Sequence, residues 1–208
     1  MKRRKPKPFT RENVLTPDER KRLLDATNND YERLIVYGLL YTGMRESEFL
    51  HMRKSWVNFE EGVISVPLRE ECKICSLCKK SKTRKNKLIK PADTWQAKTK
   101  HAERPIPIVP EVKDIFLNYF KGHGSIIETV WYRQNIWSTV VELGKRARIR
   151  HPVFPHALRG TFATILVEKG LEDSVTLKDV MGWKSLAMAT EYIKIGGTAM
   201  KKRIDKIW

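Results

Sequence analysis

The sequence has few cysteines, few acidic residues and no long apolar run. Its three cysteines all fall between positions 72 and 78, which excludes a disulfide framework and suits a reducing compartment. No apolar stretch approaches the roughly 20 residues that cross a bilayer, and the basic start MKRRKPKPFT lacks the apolar segment of a secretory signal. Asp and Glu number 24 against 41 Lys and Arg, so the net charge is +17. This surplus favours a polyanionic partner such as nucleic acid.

The apolar content supports a folded domain, because hydrophobic residues make up 41% of the 208 residues. Residues 1–12 are basic and polar, and we expect them to form a linker or arm. Residues 13–195 are predicted to form one domain. Residues 196–208 are predicted to be a tail that ends in a small helix.

The domain is predicted to be mainly α-helical, with one small three-stranded antiparallel sheet. Capping residues and apolar spacing predict helices at about 17–26, 30–42, 46–53, 110–121, 131–148, 155–169, 174–182 and 186–194. Strands are predicted at 56–59, 63–66 and 104–108. The third is placed at a sheet edge, because its prolines lack the N–H donor that a central strand needs.

Four short segments carry side chains suited to chemistry at a phosphate. They read TGMRESE at 42–48, AKTK at 97–100, HALR at 156–159 and GWKSLAMATEY at 182–192. Each alone is unremarkable on so basic a chain. Together, in this order, they resemble the tyrosine recombinase (phage integrase) superfamily over about residues 13–195, and LTPDERKRLL at 15–24 resembles the usual opening of that family's catalytic domain.

The resemblance implies a set of catalytic positions, which are Arg45, Lys98, His156, Arg159, Trp183 and Tyr192. By this resemblance Tyr192 attacks the phosphorus and forms a 3′-phosphotyrosine, while Arg45 and Arg159 clamp the phosphate oxygens. His156 is expected to share a proton near the phosphate. Trp183 stands where many members have histidine, and its indole N–H can donate a hydrogen bond.

The resemblance also implies roles for a lysine and a glutamate. Lys98 is the expected general acid for the departing 5′ oxygen, and Lys100 competes with it because strand alternation would put both on one face. Glu48 matches an acidic residue of the family that orients the arginine or the lysine. The alternative for Glu48 is an ordinary carboxylate on a helix surface.

Residues 68–97 form a basic, cysteine-containing insertion between the second and third predicted strands. From Lys73 to Lys90 it carries eight Lys or Arg and no acid, and integrases of archaeal viruses and plasmids are similar in having a cysteine-containing insertion here. We expect basic residues of this region to track DNA phosphates. These residues are Lys79, Lys80, Lys82, Arg84, Lys85, Lys87 and Lys100.

The cysteines leave two interpretations open. Cys72, Cys75 and Cys78 have the spacing of zinc ligands, and the fourth position would be taken by His101, by Asp93, by a water or by no ligand. The same spacing resembles a ferredoxin run, but Lys82 occupies the position of its fourth cysteine. The alternative is a reduced, flexible loop without metal.

The resemblance implies a site-specific recombinase or integrase that needs no cofactor for catalysis. Its expected partners are double-stranded DNA carrying an attachment site and further copies of the chain in a tetramer, in the cytoplasm at the host nucleoid. The alternatives are a DNA-binding module without catalysis and a type IB-like topoisomerase. Because only about twelve residues precede the domain, the chain is expected to be a catalytic fragment or a short integrase.

Overall fold

The computed structural model describes residues 13–76, 78–80, 82–84 and 87–195, with side chains left out at 82–84, 87–89 and 195. The predictions for the arm at 1–12 and the tail at 196–208 lie outside these residues. Among the described helices, none is both long and apolar enough to cross a membrane.

The described helices follow the predicted order closely. They are α1 Pro17–Asp25, α2 Asp30–Thr42, α3 Glu46–His51, α4 Pro110–Gly122, α5 Ile127–Val130, α6 Arg133–Arg146, α7 Pro155–Glu168, α8 Ser174–Met181 and α9 Leu186–Ile195. One prediction was wrong, because the helix expected from residue 131 begins only at Arg133. The short α5 ends before it, and Trp131 between them has a positive φ of 63°, which breaks the helical path.

The predicted three-stranded antiparallel sheet is confirmed. It comprises β1 Val57–Asn58, β2 Val63–Val66 and β7 Arg104–Pro107, in the order β1-β2-β7. Val66 pairs with Arg104 and Ile64 with Ile106. The strand with the prolines lies at an edge of this sheet, as predicted from its missing N–H donors.

The insertion has regular structure that the sequence analysis did not predict. Its strands are β3 Arg69–Glu71, β4 Lys82–Arg84, β5 Lys87–Lys90 and β6 Thr94–Gln96. β3 pairs with β6, and β4 pairs with β5, so the segment folds as two antiparallel ribbons rather than one open loop. Trp95 of β6 is buried between His51 and Trp56, and this contact joins the first ribbon to the core.

The centre of the domain is α2, which packs against α4, α6 and α7. Its N-cap is Asn29, whose side chain accepts from the backbone N–H of Glu32. Gly43 ends the helix in a left-handed conformation with φ 59°. A Cβ at Gly43 would lie 2.4 Å from Cδ1 of Phe162, so the turn into the next segment needs glycine for both its dihedral and its space.

We therefore expect Gly43→Ala to lower the free energy of unfolding by about 2–5 kcal/mol, measured by urea denaturation. The left-handed backbone costs an L-residue about 1–2 kcal/mol, and overpacking against Phe162 adds about 1–3 kcal/mol. Gly62→Ala is the matched control, because Gly62 has φ 68° but open space around its missing Cβ. Equal losses in the two variants would show that the contact with Phe162 is unimportant.

Candidate active site

The turn after α2 positions Arg45 at the start of α3. Arg45 is the N-cap residue of that helix, and its backbone N–H donates to Oε2 of Glu48 at 2.9 Å. Its guanidinium donates through Nη1 to Oε1 of Glu48 at 2.6 Å and through Nη2 to the carbonyl of Gly182 at 2.8 Å. One carboxylate therefore holds both the backbone and the side chain of Arg45.

Glu48 is buried, with a residue exposure of 1%, so it is not a carboxylate on a helix surface. Its Oε2 also accepts from Nη2 of Arg104 at 2.9 Å. Burial by itself raises the pKa of Glu48, but the charges of Arg104, Arg159 and Arg45 and the hydrogen bond from Arg104 leave that pKa below its ordinary value. Glu48 is thus the negative centre of an arginine cluster. No described hydrogen bond joins it to Lys98.

Arg104 is a member of this cluster that the sequence analysis did not assign to the site. It lies on β7 at a buried position, and its guanidinium donates to the carbonyls of Ala102 and Val180 as well as to Glu48. Burial, as the main cause, lowers the pKa of Arg104. The sequence did indicate that Arg104 is buried, because on a strand residue 104 shares a face with the apolar Ile106. A charged group on a buried face requires partners.

Arg159 lies on α7 and is 3% exposed. Its guanidinium donates to the carbonyls of Gly43 and Met181. Arg159 and Arg45 therefore reach consecutive carbonyls, at Met181 and Gly182, where α8 ends and its dipole is negative. Burial and the nearby charges of Arg45 and Arg104 lower the pKa of Arg159 well below its ordinary value. The structure brings the two arginines of the predicted clamp together.

His156 is exposed in the first turn of α7, three residues before Arg159. Desolvation, followed by the positive charges of Arg159, Arg45 and Lys98, lowers the pKa of His156 below its ordinary value. The lowered pKa favours the neutral imidazole, in which one ring nitrogen can accept a proton. Lys98 is exposed, and its positive charge is close enough to His156 to help lower the pKa of that histidine.

The expectation that Lys98 and Lys100 share a face of one strand was wrong. β6 ends at Gln96, Lys98 lies in a bend, and Lys100 opens a 3-10 turn at Lys100–Ala102. Within this turn the N–H of Ala102 donates to the carbonyl of Thr99, and Ala102 is fully buried before β7 begins. Lys100 instead lines a cleft of about 490 Å³ together with Gly182 and Trp183.

Trp183 and Tyr192 lie against each other. Their rings are stacked with centroids 5.2 Å apart and planes at 19°. Tyr192, on α9, is 5% exposed and belongs to an apolar cluster with Phe162 and Met181. Trp183 directly follows Gly182, whose carbonyl accepts from Arg45, so the stacked ring of Tyr192 lies in the same region of the chain's own structure as the arginine cluster.

The predicted DNA-binding residues are spread along the insertion. Lys79 and Lys80 are exposed before β4, and Lys100 is exposed beside the cleft. Lys82, Arg84 and Lys87 lie on the ribbon of β4 and β5, where only the backbone is described. Lys85 lies outside the described residues.

The three cysteines are buried and their thiols are free. Sγ of Cys72, Cys75 and Cys78 and a ring nitrogen of His51 all lie within 4.8 Å of one another. Neither His101 nor Asp93, the protein ligands named from the sequence, belongs to this group. His101 lines the cleft near Trp183, and the carbonyl of Asp93 accepts from the N–H of Cys72.

The fold is that of tyrosine recombinase catalytic domains. The crystal structure of XerA recombinase matches with a TM-score of 0.67 at 22% identity, over 99% of this chain and 66% of that chain. Residues 13–196 match the model of the phage integrase family, and the chain belongs to that family. The Tn1549 transposon integrase, solved in complex with transposon right end DNA, matches with a TM-score of 0.63 at 20% identity, over 92% of this chain and 66% of that chain.

Curated relatives give the same family. Tyrosine recombinase XerA of Pyrococcus furiosus is 26% identical over 214 residues, covering 98% of this chain and 65% of the relative. Tyrosine recombinase XerD of Staphylococcus aureus is 28% identical over 202 residues, covering 93% of this chain and 61% of the relative. The chain thus spans less than two thirds of the length of these relatives.

We expect Glu48→Gln to lower the free energy of unfolding at pH 7 by about 3–5 kcal/mol, because it leaves buried Arg104 without its counter-charge. The folded pKa of Glu48 lies below the unfolded value. Its contribution is therefore complete above the unfolded pKa and disappears as the pH falls through the folded pKa. Urea denaturation at pH 7 and at pH 3 measures both effects.

Glu61→Gln is the control, because Glu61 is exposed in the turn between β1 and β2. It should leave stability at pH 7 unchanged. The difference between Glu48→Gln and the parent chain should shrink at low pH. A loss of the same size at both pH values would contradict the ionic role of Glu48.

Proposed function

We propose that this chain is the catalytic part of a site-specific recombinase that cuts and rejoins DNA through a 3′-phosphotyrosine at Tyr192. The observation that supports this most directly is the convergence of Arg45 and Arg159 on consecutive carbonyls, with Tyr192 in the electrostatic environment of Arg159. Tyr192 stacks on Trp183, which directly follows the Gly182 carbonyl that holds Arg45, and a phenol in this region fits attack on a phosphodiester.

The arginines supply the negative phosphate with donors. A guanidinium has five N–H donors, and the two bonds from Arg159 to Gly43 and Met181 use only two of them. The remaining fork can meet non-bridging oxygens of the phosphate. Because Glu48 is the only carboxylate that bonds Arg45 or Arg104 among the described residues, the cluster keeps a surplus of positive charge for an anion.

Lys98 and His156 are the residues proposed to transfer protons. When Tyr192 bonds to phosphorus, the bond from phosphorus to the 5′ oxygen breaks and that oxygen needs a proton, which Lys98 donates. His156, in its neutral form, accepts the phenolic proton of Tyr192 or shares a proton with the phosphate. Lys98 is favoured over Lys100 because it directly precedes the Thr99-x-x-x-x-Arg104 stretch, as the family's lysine does, and because its charge acts on His156.

Tyr192 must leave its apolar cluster to react. Its ring is buried and stacked on Trp183, so DNA binding is proposed to shift α9 and bring the phenol towards the phosphate that the arginines hold. The indole N–H of Trp183 then donates to a non-bridging oxygen. The reverse attack by a 5′ hydroxyl on the phosphotyrosine rejoins a strand without external energy, since the phosphate ester bond is conserved.

The partners follow from charge and family. Double-stranded DNA carrying an attachment site is the proposed substrate, bound through the excess of 17 positive charges and the basic insertion, with affinity falling steeply as salt rises. Recombination exchanges strands between two duplexes, so we propose a tetramer of chains on DNA. It would act in the cytoplasm at the host nucleoid, with an archaeal virus or plasmid as the proposed source of the integrated DNA.

Cleavage as proposed uses only side chains. The nucleophile is Tyr192, the acid is Lys98, and the charge on the phosphorane is met by Arg45 and Arg159. No cofactor has a role in these steps. The metal that the cysteine cluster suits is structural in this proposal.

The proposal predicts a covalent adduct with DNA that survives SDS. A pool of nicked suicide duplexes with randomised sequence should yield adducts with the parent chain and none with Tyr192→Phe, while Tyr132→Phe, at an exposed tyrosine, should behave like the parent. Arg45→Lys and Arg159→Lys should slow adduct formation by about 10²–10³-fold, because lysine replaces the planar fork. Sequencing the adducts identifies the preferred site.

For each variant we would also measure the melting temperature and the salt dependence of DNA binding. These measurements separate a defect in folding from a defect in the chemical step. A DNA-binding module without catalysis gives no adduct with the parent chain. Adducts that relax supercoils but never join two marked sites would indicate a topoisomerase and overturn the recombinase assignment. Arg150→Ala, at an exposed arginine, is the control for loss of charge alone.

Tyr192 stacks on Trp183 of its own chain, next to the Gly182 carbonyl that holds Arg45, and this position predicts cleavage in cis. Tyr192→Phe lacks the nucleophile and Arg159→Lys lacks the clamp. If each chain completes its own site, a mixture of the two variants should form no more adduct than Arg159→Lys alone. Restoration of adduct in the mixture would show that Tyr192 serves the site of a neighbouring chain.

A further inference from the structure

The strongest feature outside the proposed reaction is the group of three thiols and one imidazole. Cys72, Cys75, Cys78 and His51 are each buried, with exposures of 3–6%. Nε2 of His51 lies 3.4 Å from Sγ of Cys78. A tetrahedral zinc ion, with bonds of about 2.3 Å to sulfur and about 2.0 Å to nitrogen, places its ligands roughly 3.5–3.8 Å apart. The observed spread of 4.8 Å or less needs only about 1 Å of contraction to reach this geometry.

The orientation of His51 is already fixed for coordination. Its Nδ1 lies 2.8 Å from the carbonyl of Ser47, one turn earlier on α3. A carbonyl can only accept, so Nδ1 carries the hydrogen and Nε2 of the neutral ring presents its lone pair to the thiols. Metal-bound histidines generally donate their other ring N–H to a carbonyl or carboxylate in this way.

Backbone hydrogen bonds also fix the segment that carries the cysteines. The N–H of Cys78 and that of Lys79 both donate to the carbonyl of Cys75, which folds the Cys-x-x-Cys segment into a tight turn. The N–H of Cys72 donates to the carbonyl of Asp93, and Nζ of Lys90 donates to the carbonyl of Cys78. These bonds hold both ends of the cysteine segment against the ribbons.

We propose that His51, Cys72, Cys75 and Cys78 bind one structural zinc ion. Three thiolates with one imidazole is a common closed zinc set, whereas a cubane iron–sulfur cluster normally takes four cysteines. An odd number of thiols cannot pair completely as disulfides. The four ligands fill the tetrahedron, so the site has no open position for catalysis, and this proposal does not depend on the proposed DNA cleavage.

The zinc site joins the insertion to the helix that carries the arginine clamp. His51 is the last residue of α3, about 9 Å along the axis from Arg45 at its start. Cys72 directly follows β3, and the partner strand β6 ends two residues before Lys98. The ring of Trp95 stacks on His51 with centroids 5.5 Å apart, which adds an apolar contact beside the metal. One ion thus connects α3, the ribbons and the start of the segment with Lys98.

The test is the metal content of the untagged chain, purified without chelator and measured by mass spectrometry. We expect about one zinc per chain in the parent, and less than about a tenth of that in Cys75→Ser and in His51→Ala. His101→Ala and His123→Ala are matched controls, because these histidines lie outside the cluster, and both should retain the zinc.

Cobalt(II) added to the metal-stripped chain gives a second readout. It should produce the absorption of a tetrahedral site with sulfur-to-cobalt charge transfer, and this spectrum should change in His51→Cys, which keeps four ligands and should also keep zinc. His51→Cys thereby separates loss of a ligand from general misfolding. Chelation of the parent should speed proteolytic cleavage within residues 68–97 and leave the rest of the domain intact.

Three results would overturn the proposal. The first is a parent chain that carries no zinc and gives no tetrahedral cobalt spectrum. The second is full zinc retention in His51→Ala together with loss in His101→Ala, which would move the fourth ligand. The third is iron with inorganic sulfide in the purified chain. None of these results bears on whether Tyr192 forms a covalent adduct, so the two proposals fail separately.

Discussion

The site depends on the placement of one carboxylate among three guanidinium groups. Arg45, Arg104 and Arg159 lie close enough together for the charge of one to lower the pKa of another. Like charges in a poorly solvated region repel strongly. Glu48 offsets part of this repulsion through direct bonds to Arg45 and Arg104. The remaining positive charge is held in place by backbone carbonyls, which are dipoles and not full charges. In the proposed reaction a phosphate group would supply the negative charge that the cluster lacks.

The three arginines come from the N-cap of α3, from β7 and from α7, and each is anchored by a carbonyl at the end of α8, so the cluster forms only when these elements are packed together. The turn at Gly43 offers its carbonyl to Arg159, and the end of α8 offers consecutive carbonyls to Arg104, Arg159 and Arg45 at Val180, Met181 and Gly182. The last turn of a helix leaves such carbonyls unpaired, and cations are favoured there. The same structural feature therefore satisfies the helix end and preorganises the donors, which limits the reorganisation that phosphate binding requires.

Features of the fold that depend on neighbouring residues could be predicted from the sequence, and features that depend on distant contacts could not. The helix bounds at Asp30–Thr42 follow from Asn29 and Gly43, and the edge position of β7 follows from its prolines. The resemblance predicted the positions of the site, but the strand expected to hold both Lys98 and Lys100 was wrong, because a 3-10 turn closed by the bond from Ala102 to Thr99 lies there instead. His51 was missed because it precedes Cys72 by 21 residues and belongs to another element.

The charge and the small size of the insertion both oppose its folding. Its eight basic residues between 73 and 90 repel one another, and the described part of it contributes few buried apolar side chains beyond Trp95 and the cysteines. Ordering a segment costs about 1–2 kcal/mol per residue in backbone entropy, and small segments of this kind need a metal or a disulfide to offset that cost. With one imidazole from α3 and three thiolates, a bound zinc ion would supply the missing stabilisation and leave the basic surface available for DNA. In this proposal the same positive charge that suits the insertion for nucleic acid increases its need for an attachment to the core.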